Sequence, residues 1–310
     1  MSTTTAHGPF AHPALFYRSR HEYTQQTVAF LREGKANGEP VAVAVPGPNL
    51  ELIKNGLGGD TDGIAFFDMT EAGRNPGRII PKVLRGFADA HPTERVRIIG
   101  EPIWAGRSAV EYPACAQHEA LINAAFDGRA ATILCPYDES RLDGTVIADA
   151  RMTHPTLISG DGRAEISDAY DWEAVVARYN EALPSVPDAA VFSYGGDDLP
   201  AVRRFALTQA AGLGLGRERL MDVELAVAEL TTNSVVHGGG RGTLAAWAEQ
   251  GQVVIEVRDA GRLTDPLAGR RPPERGQIGG RGLMLVHYVS DLVRLHTAEA
   301  GTAVRFYLSL

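Results

Sequence analysis

Cysteine is almost missing from this chain. Cys115 and Cys135 are the two in 310 residues, too few for a disulfide framework. Long apolar runs are missing as well, and no stretch approaches the unbroken length needed to span a bilayer. The N-terminus, MSTTTAHGPFAHPALF, has no basic region followed by an apolar core, so no signal peptide is expected. A soluble cytoplasmic protein is the economical expectation. Basic charge is also scarce. Residues 1–194 carry 17 basic and 25 acidic groups and residues 195–310 carry 13 of each, for a net charge of −8. Direct nucleic-acid binding through a basic surface is therefore disfavoured, because phosphate contacts need local Lys and Arg.

The most informative stretch is MDVELAVAELTTNSVVH (221–237). It is apolar-periodic and free of Gly and Pro, which predicts a helix with Glu229, Asn233 and His237 on one face. Read alone, that face could be the solvated side of an amphipathic helix. The segments downstream give it company. GQVVIEVRDAGRL (251–263) is a β-branched run ending in Asp259 and Gly261, which can aim an acceptor-only carboxylate at an exocyclic amine such as that of adenine. TDPLAGRRPPERGQIGG (264–280) is too rich in Gly, Pro and Arg to be a helix or central strand. Gly279, Gly280 and Gly282 lead into the helical pattern RGLMLVHYVSD, a glycine turn whose helix N-terminus can face phosphates. DLVRLHTAEAGTAVRFYLSL (291–310) predicts two strands joined at Gly301-Thr302.

The order and spacing of these pieces resemble the GHKL ATP-binding fold of gyrase, Hsp90, histidine kinases and MutL, over about residues 195–310. AELTTNSVVHG matches the N box, DAG and GGRGL the two glycine boxes, and GTAV the last box. Among such proteins the compact anti-sigma-factor serine kinases of the RsbW type are the most similar. The resemblance implies ATP and Mg²⁺ as cofactors, Glu229 as general base, Asn233 as Mg²⁺ ligand and Asp259 as adenine acceptor. His237, Gly261, Gly280, Arg281, Gly282, Leu283 and Thr302 complete the implied nucleotide site. Arg281 or a lid arginine (Arg270, Arg271, Arg275) would face the γ-phosphate. Leu263 stands where the first glycine box usually has a second Gly. The implied partners are a sigma factor and a STAS-type anti-sigma antagonist, and homodimerisation is implied too.

The first half alternates. Helical patterns at 21–38, 78–91, 111–128 and after 138 interleave with β-rich runs at 39–46, 63–68, 95–101 and 131–138. This predicts a RecA/Rossmann-like parallel α/β layer domain. PGPNLELIKNGLGG (46–59) lacks both the Gly-Lys-Ser/Thr and the GxGxxG patterns of nucleotide loops. HPALFYRSRHEY, GRNPGRIIP, GEPIWAGRS, HEALIN, LCPYD and THP, within about residues 12–156, resemble the MEDS domain of methanogen and methylotroph regulators such as DcmR. That implies a sensory module for a small-molecule or protein signal. Trp104, with Glu101 and Arg107 near it, could line a pocket, or could cap the sheet edge while Glu101 pairs with Arg107. Cys115 and His118 share a helical face and could sense a metal or redox state, or could be ordinary core residues. Cys135, His21 and His154 lie elsewhere in the sequence.

Pro184, Pro187 and the Gly195-Gly196 pair place the boundary at 184–196, giving a sensory domain over 1–190 and a GHKL α/β sandwich over 191–310. The expected function is an anti-sigma-type regulator with protein serine/threonine kinase activity. A non-catalytic ATP-dependent binding module is the alternative. An atypical sensor histidine kinase lacks its long helical hairpin here.

Overall fold

The β-branched runs of the two halves build two separate sheets. The computed structural model describes residues 9–272 and 280–310. One unit ends at Tyr179 and a second begins at Asn180, ahead of the 184–196 span expected from the prolines. The cause is local: Asn180, Glu181, Leu183 and Pro184 are hydrogen-bonded to the second unit's strands.

The first unit runs β1 (Phe10–Ala11), β2 (Pro13–Tyr17), α1 (Arg20–Ala36), β3 (Val41–Val45), α2 (Gly47–Leu57), β4 (Ile64–Asp68), α3 (Arg85–Asp89), β5 (Val96–Gly100), α4 (Tyr112–Ala125), β6 (Ala131–Asp138), α5 (Gly144–Thr153), β7 (Thr156–Ser159), β8 (Ala164–Ile166) and α6 (Trp172–Arg178). The strand order is β4-β3-β5-β6-β2-β7-β8, with β1 also on β6. All these pairings are parallel except β7 with β8. Alternation along the strands sends side chains to both faces. Val43, Val45 and Leu134 join Leu31 and Ile53 of α1 and α2 in one core cluster. The neighbouring Cys135 points the other way, toward Glu119 of α4. Helices therefore cover both faces, as a parallel sheet requires. The helix expected over 78–91 is broken up: Ile79–Leu84 winds as a π-helix before α3. Pro81, with no N–H to give, accounts for the widened turn.

The second unit runs β9 (Ala190–Gly195), α7 (Leu199–Gly212), α8 (Leu220–His237), β10 (Arg241–Glu249), β11 (Gln252–Asp259), α9 (Gly282–Val289), β12 (Leu292–Ala298) and β13 (Gly301–Ser309). Its sheet is antiparallel, in the order β12-β13-β11-β10-β9. One face carries Val253, Ile255, Val257, Leu244 and Phe306, and it packs with Val202, Val227 and Val286 of α7, α8 and α9. This is a two-layer α/β sandwich of the GHKL type. The last hairpin turns at Glu299-Ala300, two residues before the Gly301-Thr302 position expected, and Gly301 already pairs with Ala298. No helix among the described residues is long and apolar enough to cross a membrane.

The opposite face of this sheet is charged. Buried Glu256 lies directly across from Arg305, which donates from Nε at 3.0 Å and from Nη2 at 2.7 Å. Arg258 donates to the other carboxylate oxygen. The Arg305 guanidinium also sits 4.8 Å from the Trp247 ring centre. Removing one partner of such a pair strands the other charge. Arg305→Met is expected to destabilise the second unit by about 3 kcal/mol, and adding Glu256→Leu should recover most of that loss. Urea unfolding followed by circular dichroism and tryptophan fluorescence checks both outcomes.

Candidate functional site

The residues expected at a nucleotide site come from α8, β11, α9 and β13. Glu229 and Asn233 are one turn apart on α8. Gly282 opens α9 directly against them: a Cβ there would lie 2.6 Å from Glu229 Oε2 and 3.2 Å from Asn233 Nδ2. The N-terminal N–H groups of α9, which have no intrahelical acceptor, therefore start beside the carboxylate and the amide. Gly280, at φ +77°, makes the turn that leads in.

Asp259 ends β11 and is held from two sides. Ser234 Oγ donates to Oδ2 at 2.7 Å, and the Gly261 N–H donates to Oδ1 at 2.8 Å. Each oxygen keeps a further lone pair for a ligand amine. Thr302 Oγ1 donates to the Gly261 carbonyl at 2.8 Å and lies 3.0 Å from Thr297 Oγ1. The Leu263 N–H donates to Thr297 Oγ1 at 3.0 Å. Leu263, where a glycine was expected, thus contributes its backbone to the loop's anchorage.

A cavity of about 400 Å³ gathers Asn233, His237, Asp259 and Gly261 with Gly280, Gly282, Leu283 and Thr302. Leu230, Val257, Leu295 and Val304 supply apolar walls suited to a flat base. Glu229 borders it through Gly282, while Arg281 caps α9 in an exposed position. Of the lid arginines, Arg270 is buried and Arg271 pairs with Asp265 at 3.7 Å. Arg275 and Gly279 lie outside the described residues. Ser234 and Thr297 are site residues that the sequence reading does not name, and Gly301 is named there only as a turn and box residue. Ser234 adjoins Asn233 and could have been found from its spacing, while Thr297 and Gly301 act through strand pairing.

A second cavity, of about 820 Å³, lies in the first unit where four parallel strands end. Tyr17 closes β2, Asn49 follows β3, Glu101 follows β5 and Asp138 closes β6, and all four line it. Carboxyl ends of parallel strands are where open α/β sheets take ligands. Trp104 lines this cavity, with the Arg107 guanidinium 4.0 Å from its ring centre. Arg107 pairs with Glu111 at 3.0 Å rather than with Glu101. Glu101 instead accepts from Tyr23 Oη at 3.1 Å and from Asn49 Nδ2 at 2.8 Å. Its burial pushes its pKa up to about 8, against these hydrogen bonds and with help from the Asp138 charge. Cys115 and His118 are buried on α4.

Residues 11–155 match the MEDS family, the methanogen/methylotroph DcmR sensory domain, and residues 195–308 match the histidine kinase-like ATPase domain. The chain carries both domains. The glycine-lined cavity with its fixed Asp259 fits the second of these and supports ATP binding there. No curated protein matches the chain. Among solved structures, the flagellar accessory protein FlaH from Methanocaldococcus jannaschii is similar at 13% identity, over 55% of this chain and 81% of that one. The TM-score of that match is 0.35.

Asp259→Asn puts an N–H where an amine must be accepted. ATP affinity, measured by calorimetry, should fall at least about tenfold with the fold retained, in keeping with the cost of an unpaired buried polar group. For Glu101, the folded protein holds its proton to about pH 8, whereas an ordinary glutamate releases it near 4.5. Between these values the unfolded chain binds fewer protons, so this group makes stability fall as pH rises from about 4.5 to about 8. Urea melts across that window should show a flatter pH dependence for Glu101→Gln.

Proposed function

We propose that this chain is a switchable regulator of the anti-sigma type. Its MEDS domain governs an ATP-binding domain that holds a sigma factor and phosphorylates a serine or threonine of a STAS-type antagonist. The observation that carries this reading is the placement of Glu229 and Asn233 against Gly282, at the glycine-lined edge of the Asp259 cavity.

Bound ATP with Mg²⁺ would supply the phosphoryl group and neutralise charge at the site. Asp259 would orient the base edge, and Asn233 would offer its amide oxygen to the metal. The first N–H groups of α9 would face the phosphates. Glu229 would take the proton of the attacking hydroxyl as its oxygen bonds to the γ-phosphorus and the bond to ADP breaks. The second cavity, floored by Glu101, is the natural entry for a small-molecule signal.

Affinity capture from native lysate, with Mg-ATP or Mg-ADP and with Asp259→Asn as control, tests the partner reading. A sigma factor and a small antagonist retained only with nucleotide and intact Asp259 are the expected result. Retention indifferent to both would overturn it. Glu229→Ala tests the chemistry: phosphorylation of the antagonist should fall by about 10²–10⁴-fold, the usual range for losing a general base, while ATP affinity stays. Unchanged transfer would remove Glu229 from the reaction. Partner binding without any transfer by the parent protein would leave a non-catalytic, ATP-shaped binding module.

A further inference from the structure

Four side chains meet in the interior of the first unit: His12 ahead of β2, Glu119 on α4, Cys135 on β6 and His154 after α5. None is more than 1% exposed. One potential ligand atom from each lies within 4.8 Å of all the others. Cys135 Sγ is 3.4 Å from His12 Nε2, Glu119 Oε2 is 3.7 Å from His12 Nε2, and the same oxygen is 3.2 Å from His154 Nε2. Zinc bonds of about 2.0–2.1 Å to nitrogen and about 2.3 Å to sulfur, at tetrahedral angles, separate their ligand atoms by about 3.3–3.6 Å. These three spacings bracket that range, and the whole set falls within 4.8 Å, so bound metal would draw the widest pairs together.

The hydrogen bonds behind the two imidazoles fix which nitrogen faces inward. His154 Nδ1 lies 2.8 Å from the Ala150 carbonyl, which can only accept, so Nδ1 carries the proton. Asn123 donates both its amide protons, to the Ala120 and Thr153 carbonyls at 3.1 and 2.9 Å. Its oxygen is therefore the atom 3.2 Å from His12 Nδ1, and that nitrogen too is the donor. In the neutral rings both Nε2 lone pairs then converge on the Glu119 carboxylate, which has the Cys135 thiol and the Tyr137 hydroxyl beside it as possible donors. Lone pairs facing a buried carboxylate repel unless a proton or a metal cation lies among them, and a metal ion would satisfy all of them at once. A backbone carbonyl and a side-chain amide that orient two imidazoles are the usual outer layer of a metal site.

We propose that His12, Glu119, Cys135 and His154 form a buried tetrahedral site for one divalent transition-metal ion, zinc by its donor set. Two imidazoles, a thiolate and a carboxylate suit that ion and balance its charge. The four ligands come from β2's approach, α4, β6 and the turn into β7, so the ion would staple the centre of the sheet to the helix covering it. Sequence spacing pairs Cys115 with His118 on one helical face. The strand register instead brings Cys135 to His12, 123 positions earlier.

The test uses the untagged full-length protein, refolded with Zn²⁺ or with Co²⁺ because the site is closed to solvent. Elemental analysis should find about one zinc per chain after dialysis, the stoichiometry of a single four-ligand site. The cobalt form should show a thiolate charge-transfer band and tetrahedral visible bands. Cys135→Ser should abolish the charge-transfer band and Cys115→Ser should keep it. Metal-free refolded protein should melt at a lower temperature than the zinc form. Substoichiometric metal with no charge-transfer band in the parent protein overturns the site, and so does a band that depends on Cys115. If Cys135→Ser fails to fold, the parent protein's cobalt spectrum and metal content decide alone.

Discussion

Around Asp259 three stretches of backbone come closer than any side chain would allow, and the cavity depends on that approach. A Cβ on Gly238 would overlap the Asp259 carboxylate, and one on Gly301 would overlap its carbonyl. A Cβ on Gly261 would stand 2.6 Å from the His237 carbonyl and 3.1 Å from Asp259 Oδ1. Gly301 also sits at φ +135°, where L side chains are strained. The end of α8, the end of β11 and the start of β13 are thus pressed around one carboxylate. Ser234 and the Gly261 N–H then hold it in a single orientation. A preorganised acceptor of this kind loses little freedom when a ligand arrives.

Much of this was legible in residue types because short-range rules govern it. The helical period puts Glu229 and Asn233 on one stripe of α8, and Gly282 meets both. The β-branched run of β11 delivers Asp259 to the cavity. What the sequence hid depends on pairing between distant segments. β10, with its alanine-rich AAWAE, shows little alternation, and its place beside β11 comes from register. Thr297 looks like any strand threonine until β13 brings Thr302 across from it. β2 is not predicted either, since its short PALFY run opens on Pro and has no β-branched residue.

The first unit shows the same division. Its alternating helices and strands gave away a parallel sheet, and the strand ends gather Tyr17, Asn49, Glu101 and Asp138 at one cavity. The partners of Glu101 could not be read from GEPIWAGR, because they come from α1 and α2. Arg107 turns instead to Glu111 and to the Pro102 and Gly73 carbonyls. Trp104 is held against that fixed cation, which gives the cavity one rigid aromatic wall.

The strap at residues 180–184 has a wider effect than its length suggests. Asn180 donates to the Thr297 carbonyl at 2.8 Å and accepts from the Thr297 N–H at 3.0 Å, and Thr297 in turn anchors Leu263 and Thr302. The first residue after the sensory unit is therefore three hydrogen-bond steps from the Gly261 carbonyl under the nucleotide cavity. A fragment beginning just before β9 would keep every residue that lines the Asp259 cavity and lose this buttress. Its affinity for a nucleotide would report the missing strap as much as the glycine boxes themselves.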